Sequence, residues 1–311
     1  MPSKKAYEPS PEQQGWLPPE VRDYGTRKEY EKVLESCKIF SAAGSAIAGS
    51  GEGKIVLLHK YLAELNGGKF PVNHQTLGDC VSHGGAKAIE NLMAVQILLH
   101  GKAEQWPGIL VATEWLYGTS RVLVGRGRLG NGDGSLGSWL AKAVQEHGVL
   151  FRKKYGNFNL TTYSGHRAKK WGYRGLPYQL EEIADEHPVK TTALVTSYEQ
   201  ARDAIANGYP VVVCSSQGFN SRRDSEGFAR ASGTWHHCMY FCAVDDAHRR
   251  PGLLCVNSWG ERWINGPKRH EQPEGSFWVD AEICDRMLRG QDSYSFSNMT
   301  GFPAQQLEYV F

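Results

Sequence analysis

The order of sequence patterns along the chain predicts an α+β fold made of two packed halves, with a cleft between them. Helix-like segments come first and short strand-like runs come last. Helices are predicted at 27–39, 80–100, 113–122, 136–147 and 198–207. The strand-like runs are separated by Gly, Pro and charged turns and cover 211–215, 237–244, 253–257 and 276–279. Such runs are typical of an antiparallel sheet.

The first predicted element is an extended arm at the N-terminus. Residues 1–25 carry Pro and Lys without a helical or strand period, and Pro18-Pro19 cannot continue a helix. The helix predicted at 27–39 follows. The next stretch, 41–53, is rich in Gly, Ser and Ala, which indicates a loop.

The strongest helical pattern begins at Cys80. No proline occurs between residues 80 and 100, and apolar side chains recur there at helical spacing. Two later helices are followed by Gly148 and Gly208, as helix C-termini commonly are. We expect most of these helices in the first half of the fold and the strand-like runs in the second.

Charge and hydropathy argue against two classes of protein. The 311 residues contain 35 Lys and Arg against 33 Asp and Glu, a net charge of +2, which leaves no positive excess for a nucleic acid partner. No run approaches the roughly 18 apolar residues of a membrane span. Lys4 and Lys5 precede no apolar signal segment. We therefore expect neither a nucleic acid nor a membrane as partner.

The seven cysteines cannot all pair within one chain, and several lie in apolar runs, as free buried thiols do. We therefore predict a reducing compartment, the cytoplasm. Cys80 differs from the others because it is the cysteine at a predicted helix start, where the helix dipole lowers a thiol pKa. Asp79 can cap this helix, and Gly78 lets the backbone bring the sulfur to the surface.

A thiol nucleophile needs a histidine base that a third polar group orients. His236 and His237 begin one strand-like run, and Asn257 ends the next. If these strands are neighbours, the Asn257 amide accepts from one imidazole nitrogen while the other nitrogen faces Cys80. Trp259 would then shield that hydrogen bond from water.

The sequence does not favour a metal or another cofactor. On a strand, Cys238 and Cys242 share one face while His237 points to the other, and no second cysteine pair of metal-binding spacing is present. We therefore predict no metal site.

Three segments carry a family resemblance. N-S-W-G-E-R-W at 257–263 resembles the N-S-W-G-x-x-W signature of papain-like cysteine peptidases. P-V-N-H-Q-T-L-G-D-C-V-S-H at 71–83 resembles the nucleophile segment of their bacterial and phage-encoded branch, and H-C-M-Y-F-C-A-V-D-D from His237 is similar to their histidine segment. Weaker similarities lie at 15–24, 133–143, 199–213 and 275–279.

The resemblance implies a papain-like fold, with a helical lobe that carries the nucleophile helix and a β lobe that carries His and Asn. It implies that Cys80 is the nucleophile and that His237, rather than His236, is the general base and acid. Asn257 would orient the imidazole, with Trp259 as its cover. The implied reaction is thiol-dependent hydrolysis of a peptide or isopeptide bond through a thioester.

The oxyanion donor implied by the resemblance is Gln75. It lies five residues before Cys80, where the family usually has six, so an alignment without a gap places His74 at that position instead. The resemblance also divides the chain into an N-terminal extension, 1–65, and a papain-like domain, 66–311. Within this domain, the helical lobe covers about 66–190 and the β lobe covers about 191–311.

Two other functions remain open beside the peptidase. One is a catalytically silent papain-like assembly protein, such as a phage virion component, whose residues 1–65 dock on a protein partner. The other is an acyl transferase that uses the same triad. The expected partner of the enzyme is a polypeptide substrate, and the expected location is the cytoplasm, or the host cytoplasm or virion for a phage protein.

Overall fold

The computed structural model describes residues 7–103 and 106–310. Its α-helices are α1 (Tyr24–Ser36), α2 (Phe40–Ala43), α3 (Leu58–Leu65), α4 (Cys80–His100), α5 (Thr113–Gly118), α6 (Gly137–Glu146), α7 (Gly165–Arg174), α8 (Glu181–Asp185), α9 (Tyr198–Ile205) and α10 (Ala281–Leu288). Its strands are β1 (Lys38–Ile39), β2 (Ile55–Leu57), β3 (Lys154–Tyr155), β4 (Phe158–Asn159), β5 (Thr191–Leu194), β6 (Val211–Arg223), β7 (Ala229–Asp245), β8 (Gly252–Val256), β9 (Ser276–Asp280) and β10 (Tyr294–Ser297). The predicted α+β class is confirmed.

Most strands belong to one sheet. Within the described ranges its order is β1-β5-β10-β6-β7-β8-β9, and β2 adds to β7. The pairs β6–β7, β7–β8 and β8–β9 are antiparallel, as the apolar runs predict. Strand β7 begins well before the predicted run at 237, so the end of β8 lies beside the middle of β7, where Val256 pairs with Tyr240.

Helix α4 is the centre of the molecule, and its first 17 residues, 80–96, are all buried. It packs on β7 and α3, and its close approach to the sheet requires glycine. A Cβ atom at Gly84 would lie 2.9 Å from the carbonyl oxygen of Met239. The helix predicted at 80–100 is confirmed with the same bounds.

Several element boundaries differ from the prediction. Helix α1 begins at Tyr24 rather than at residue 27 because the Asp23 carboxylate accepts the Thr26 N–H at 2.6 Å and caps the helix there. The helix predicted at 113–122 ends as α5 at Gly118 and continues as a π-helical turn, Thr119–Val124. Strands β6 and β7 extend well beyond their apolar runs as one long hairpin.

Parts of the predicted N-terminal extension lie within the sheet and its helical layer. Strand β1 pairs with β5, β2 pairs with β7, and α3 packs on α4. Residues 7–22, here called the arm segment, contain only two short 3₁₀ turns, Pro11–Gln13 and Pro19–Val21, in agreement with the predicted extended arm. The division at residue 65 stays a prediction about domains.

No helix in the described ranges is long and apolar enough to cross a membrane.

Candidate active site

The Cys80 thiol lies at the first residue of α4 and is completely buried. The Cys238 N–H donates to its sulfur at 3.3 Å. Asp79 occupies the N-cap position, but the prediction that its side chain caps α4 is wrong. Its carboxylate instead accepts from the Tyr163 hydroxyl at 3.0 Å and lies 3.3 Å from His83 Nε2, so it is drawn away from the helix N–H groups.

His237, in the middle of β7, lies next to Asn257, which directly follows the end of β8. The Nε2 atom of His237 lies 2.8 Å from Asn257 Oδ1, which also accepts the Ser258 N–H at 2.7 Å. The Trp259 ring centroid lies 4.5 Å from that of His237, at the position expected of a cover. His237 Nδ1 is buried and has no hydrogen-bond partner in the part of the chain that the structure describes.

Gln75 is buried beside the site, whereas His74 is exposed. The Gln75 amide nitrogen donates to the carbonyls of Glu12 at 2.8 Å and Leu77 at 2.9 Å. Its amide oxygen accepts from the Ser258 hydroxyl at 2.5 Å, which holds the amide in one orientation. Of the two predicted oxyanion donors, Gln75 is therefore the buried one with a fixed amide, and its role stays a prediction.

The arm segment covers the site. The N–H groups of Gly15 and Trp16 donate to the His236 carbonyl at 3.0 and 3.2 Å, and the Trp259 indole N–H donates to the Gln13 carbonyl at 2.7 Å. On the opposite wall, the Ser135 N–H donates to the Gly15 carbonyl at 2.8 Å. The arm segment thus bridges both walls of the cleft, and Cys80 and His237 are both buried in this form.

Gly15 lets the backbone of the arm segment lie directly against Gly78. Its φ is +148°, and a Cβ atom there would lie only 2.1 Å from the Gly78 carbonyl oxygen. A side chain at position 15 is therefore incompatible with this path of the arm segment.

A buried carboxylate anchors the arm segment beyond the cleft. Asp292 accepts from the Trp16 indole N–H at 2.7 Å and from the Arg22 guanidinium at 3.0 Å. It also accepts the N–H groups of Gly137 and Ser138 at the start of α6, at 3.0 and 2.7 Å. Burial raises the pKa of Asp292, while the Arg22 charge opposes that effect.

The Cys80 thiol and the His237 imidazole are both uncharged in this covered form. Burial, followed by the neighbouring Cys214 thiol, raises the pKa of Cys80 well above its ordinary value, and the Cys238 N–H offsets this only in part. Burial lowers the pKa of His237 to about 3, although the Asn257 hydrogen bond acts in the opposite direction. The site therefore holds a thiol and a neutral imidazole rather than a thiolate and an imidazolium.

Sequence reasoning missed the covered cleft and the Asp292 anchor. The G-W pair at 15–16 was the available signal, since a glycine and a tryptophan in an otherwise polar arm indicate close packing rather than a free segment. Nothing local marked Asp292 as their partner, because it is 276 residues away from Trp16.

The fold that holds this arrangement is similar to that of solved protease structures. The cysteine protease xylellain from Xylella fastidiosa matches with a TM-score of 0.59 at 15% sequence identity, over 94% of this chain and 98% of that one. The chain has the papain-like fold. The pro-form of the ragweed pollen cysteine protease Amb a 11 matches with a TM-score of 0.50 at 15% identity, over 78% of this chain and 64% of that one. No protein-family model and no curated protein sequence matches.

Proposed function

We propose that the chain is a thiol-dependent peptidase that hydrolyses peptide or isopeptide bonds in a polypeptide substrate, with Cys80, His237 and Asn257 as its triad. One observation carries the proposal. A cysteine at the N-terminus of the central helix contacts the strand whose histidine is hydrogen-bonded to an asparagine after the neighbouring strand, in a papain-like fold.

Each residue then has a chemical task. The Cys80 sulfur attacks the substrate carbonyl carbon and forms a C–S bond, while the carbonyl electrons move to oxygen. The Gln75 amide and the Cys80 N–H donate to that oxyanion. His237, held by Asn257, transfers the proton from the thiol to the leaving amine, which breaks the C–N bond and leaves a thioester. A water molecule, deprotonated by His237, then hydrolyses the thioester.

The arm segment makes the described form a resting form. The Glu12 carbonyl occupies the Gln75 donor that the substrate oxygen needs. Displacement of the arm segment frees this donor and lets water reach Cys80 and His237. Since burial is the largest cause of both pKa shifts, exposure brings the two pKa values closer together and favours the thiolate and imidazolium pair.

One observation favours the catalytically silent alternative. Cys80 and His237 share no hydrogen bond within the described ranges, and the arm segment closes the cleft over them. A silent protein would keep this arrangement permanently, whereas an enzyme or an acyl transferase must be able to open it.

A peptidyl epoxide that alkylates activated cysteines distinguishes these functions. We expect the full chain carrying Gly15→Ala, which displaces the arm segment, to take up one epoxide molecule by mass spectrometry. Adding Cys80→Ala should abolish the adduct, whereas the matched change of another buried thiol, Cys255→Ala, should preserve it. If iodoacetamide alkylates Cys80 but the epoxide does not, the thiol is exposed without being activated and the silent function is correct.

A further inference from the structure

Two further cysteines are buried directly beside the Cys80 thiol. The Cys214 thiol donates to the Cys238 sulfur at 3.1 Å, and the Cys238 N–H donates to the Cys80 sulfur at 3.3 Å. Because a cysteine side chain is short, the Cys238 sulfur is itself within reach of the Cys80 sulfur. We call Cys80, Cys214 and Cys238 the thiol cluster, and all three of its side chains are buried and free of disulfides.

Cys214 and Cys238 face each other on the adjacent antiparallel strands β6 and β7. Each backbone N–H is directed away from the partner strand, because that of Cys214 donates to the Ser293 hydroxyl at 3.2 Å and that of Cys238 donates to Cys80. The two residues therefore form a non-hydrogen-bonded pair, whose Cα atoms lie about 4.5 Å apart in antiparallel sheets. This spacing falls within the range of about 4.4–6.8 Å that a disulfide requires.

Two glycines make room for these sulfurs between the sheet and the helices. A Cβ atom at Gly84 on α4 would lie 3.2 Å from the Cys238 sulfur, and one at Gly137 at the start of α6 would lie 3.1 Å from the Cys214 sulfur. Both sulfurs therefore lie directly against helix backbone. Gly84 follows Cys80 by about one helical turn, so α4 places the Cys80 thiol and the space for the Cys238 thiol next to each other.

We propose that the thiol cluster is a redox relay that protects Cys80 from irreversible oxidation by hydroperoxides. Cys80 accepts oxygen from the hydroperoxide, Cys238 displaces that oxygen, and Cys214 completes a disulfide with Cys238. The inference rests on the reactivity that the proposed function gives to Cys80, and not on the hydrolysis of peptides.

The steps balance in atoms and electrons. Hydrogen peroxide transfers one oxygen to the Cys80 thiol, which becomes a sulfenic acid, and leaves as water. The Cys238 thiol attacks this sulfur, forms an S–S bond and releases the oxygen as a second water. The Cys214 thiol then attacks the Cys238 sulfur, and Cys80 departs as a thiol with the proton from Cys214. The Cys214–Cys238 pair has supplied the electrons, and a dithiol reductant returns it to the starting state.

Cys80 is where the oxidant enters, because the other two thiols are poor nucleophiles. The thiolate is the form that reacts readily, and burial raises the pKa of Cys214 well above its ordinary value and raises that of Cys238 as well. Displacement of the arm segment exposes Cys80 but leaves the pair under α4 and α6. A hydroperoxide therefore meets the Cys80 sulfur first.

Hydrogen peroxide in small molar excess is the probe, added to the full-length Gly15→Ala variant, in which the arm segment is displaced. Free thiols are then blocked with N-ethylmaleimide, and the unreduced peptides are identified by mass spectrometry. We expect a disulfide between Cys214 and Cys238, together with a Cys80 that is still alkylated. A sulfinic acid on Cys80, with Cys214 and Cys238 both alkylated, would overturn the relay. This measurement needs no change within the thiol cluster.

Two variants in the Gly15→Ala background trap the separate steps. Cys214→Ala removes the last thiol, so the reaction should stop at a disulfide between Cys80 and Cys238, and the absence of this disulfide would contradict the order of the relay. Cys238→Ala removes the thiol that displaces the oxygen, so Cys80 should advance to the sulfinic acid. The matched control is Cys284→Ala, which removes a buried thiol on α10 and should leave Cys80 protected. Equal oxidation of Cys80 in the Cys238→Ala and Cys284→Ala variants would contradict the role of Cys238.

The Gly15→Ala, Cys80→Ala variant tests the point of entry. We expect its Cys214–Cys238 disulfide to form at least about tenfold more slowly than in Gly15→Ala, since each pKa unit changes the thiolate fraction of a thiol about tenfold. Equal rates would show that the pair is oxidised directly, and the relay through Cys80 would be wrong.

Failure of the relay is distinguishable from failure of the proposed function. If the epoxide labels Cys80 but hydrogen peroxide produces no disulfide, the relay is wrong and the peptidase proposal stands. If the disulfide forms through Cys80 but no peptide is cleaved, the relay stands and the peptidase proposal is wrong.

Discussion

The change Gly15→Ala should shift the protein from the covered form toward an open form. The added methyl group would lie 2.1 Å from the Gly78 carbonyl oxygen, whereas ordinary contact begins at 3.4 Å. The arm segment must therefore move away from the cleft floor by roughly 1 Å or more, a displacement that N–H···O hydrogen bonds do not tolerate. The positive φ of Gly15 adds backbone strain for any other residue.

The size of the effect follows from the hydrogen bonds at residues 15 and 16. The bonds of Gly15 and Trp16 to the His236 carbonyl, and of Ser135 to the Gly15 carbonyl, depend directly on this position. At about 1 kcal/mol each, their loss destabilises the covered form by about 3 kcal/mol. Since about 1.4 kcal/mol corresponds to a factor of ten, the population of the open form should rise about a hundredfold.

The assay is the rate of Cys80 alkylation by iodoacetamide, followed by peptide mass spectrometry. We expect Gly15→Ala to accelerate it about a hundredfold relative to the unchanged chain. Gly127→Ala is the matched control, because Gly127 also has a positive φ but its Cβ position is open. If the two variants are alkylated at the same rate while both remain folded by circular dichroism, the arm segment does not control access to Cys80.

Three further predictions follow from the described contacts. In the Gly15→Ala background, Gln75→Ala should lower kcat about 10²–10³-fold, whereas His74→Ala should not lower it. Equal effects of the two changes would contradict the Gln75 assignment. Asp292→Asn leaves Arg22 without its buried partner and should lower the free energy of unfolding by about 3 kcal/mol, so an unchanged thermal midpoint would exclude the anchor role. Burial lowers the pKa of His59 to about 4, below its unfolded value, so its contribution to stability is complete above about pH 6.5 and declines as the pH falls toward 4. At pH 5 the loss of stability from His59 is about 2 kcal/mol. In denaturant titrations at pH 7 and 5, the free energy of unfolding should therefore fall by about 2 kcal/mol less in the His59→Gln variant than in the unchanged chain. An equal fall in both proteins would show that His59 is not the titrating group.

The sequence was most informative where one local pattern determines the structure. The apolar side chains at helical spacing after Cys80, with no proline among them, predicted α4 with its observed bounds, because such a pattern favours one continuous buried helix. The apolar runs around His237 and before Asn257 predicted neighbouring strands, and the structure brings the two side chains within 2.8 Å. Their catalytic roles stay predictions.

Contacts between residues that are far apart in the sequence could not be predicted from local patterns. The Asp79 side chain was expected to cap α4, but Tyr163 and His83 compete for its carboxylate, and neither contact has a signature near residue 79. The path of the arm segment depends on backbone hydrogen bonds to His236 and on the anchor at Asp292. Backbone hydrogen bonds depend little on side-chain identity, so an arm that is free in solvent and an arm that is docked in a cleft have similar sequences.

Peptide turnover in oxygen-18 water tests the triad most directly. The Gly15→Ala variant is incubated with a mixed peptide library, and the products are analysed by mass spectrometry. We predict new C-termini that carry oxygen-18, which report attack by water, and their complete loss in the Gly15→Ala, Cys80→Ala variant. Cleavage that persists without Cys80, or no cleavage by a variant whose Cys80 is readily alkylated, would contradict the proposed peptidase.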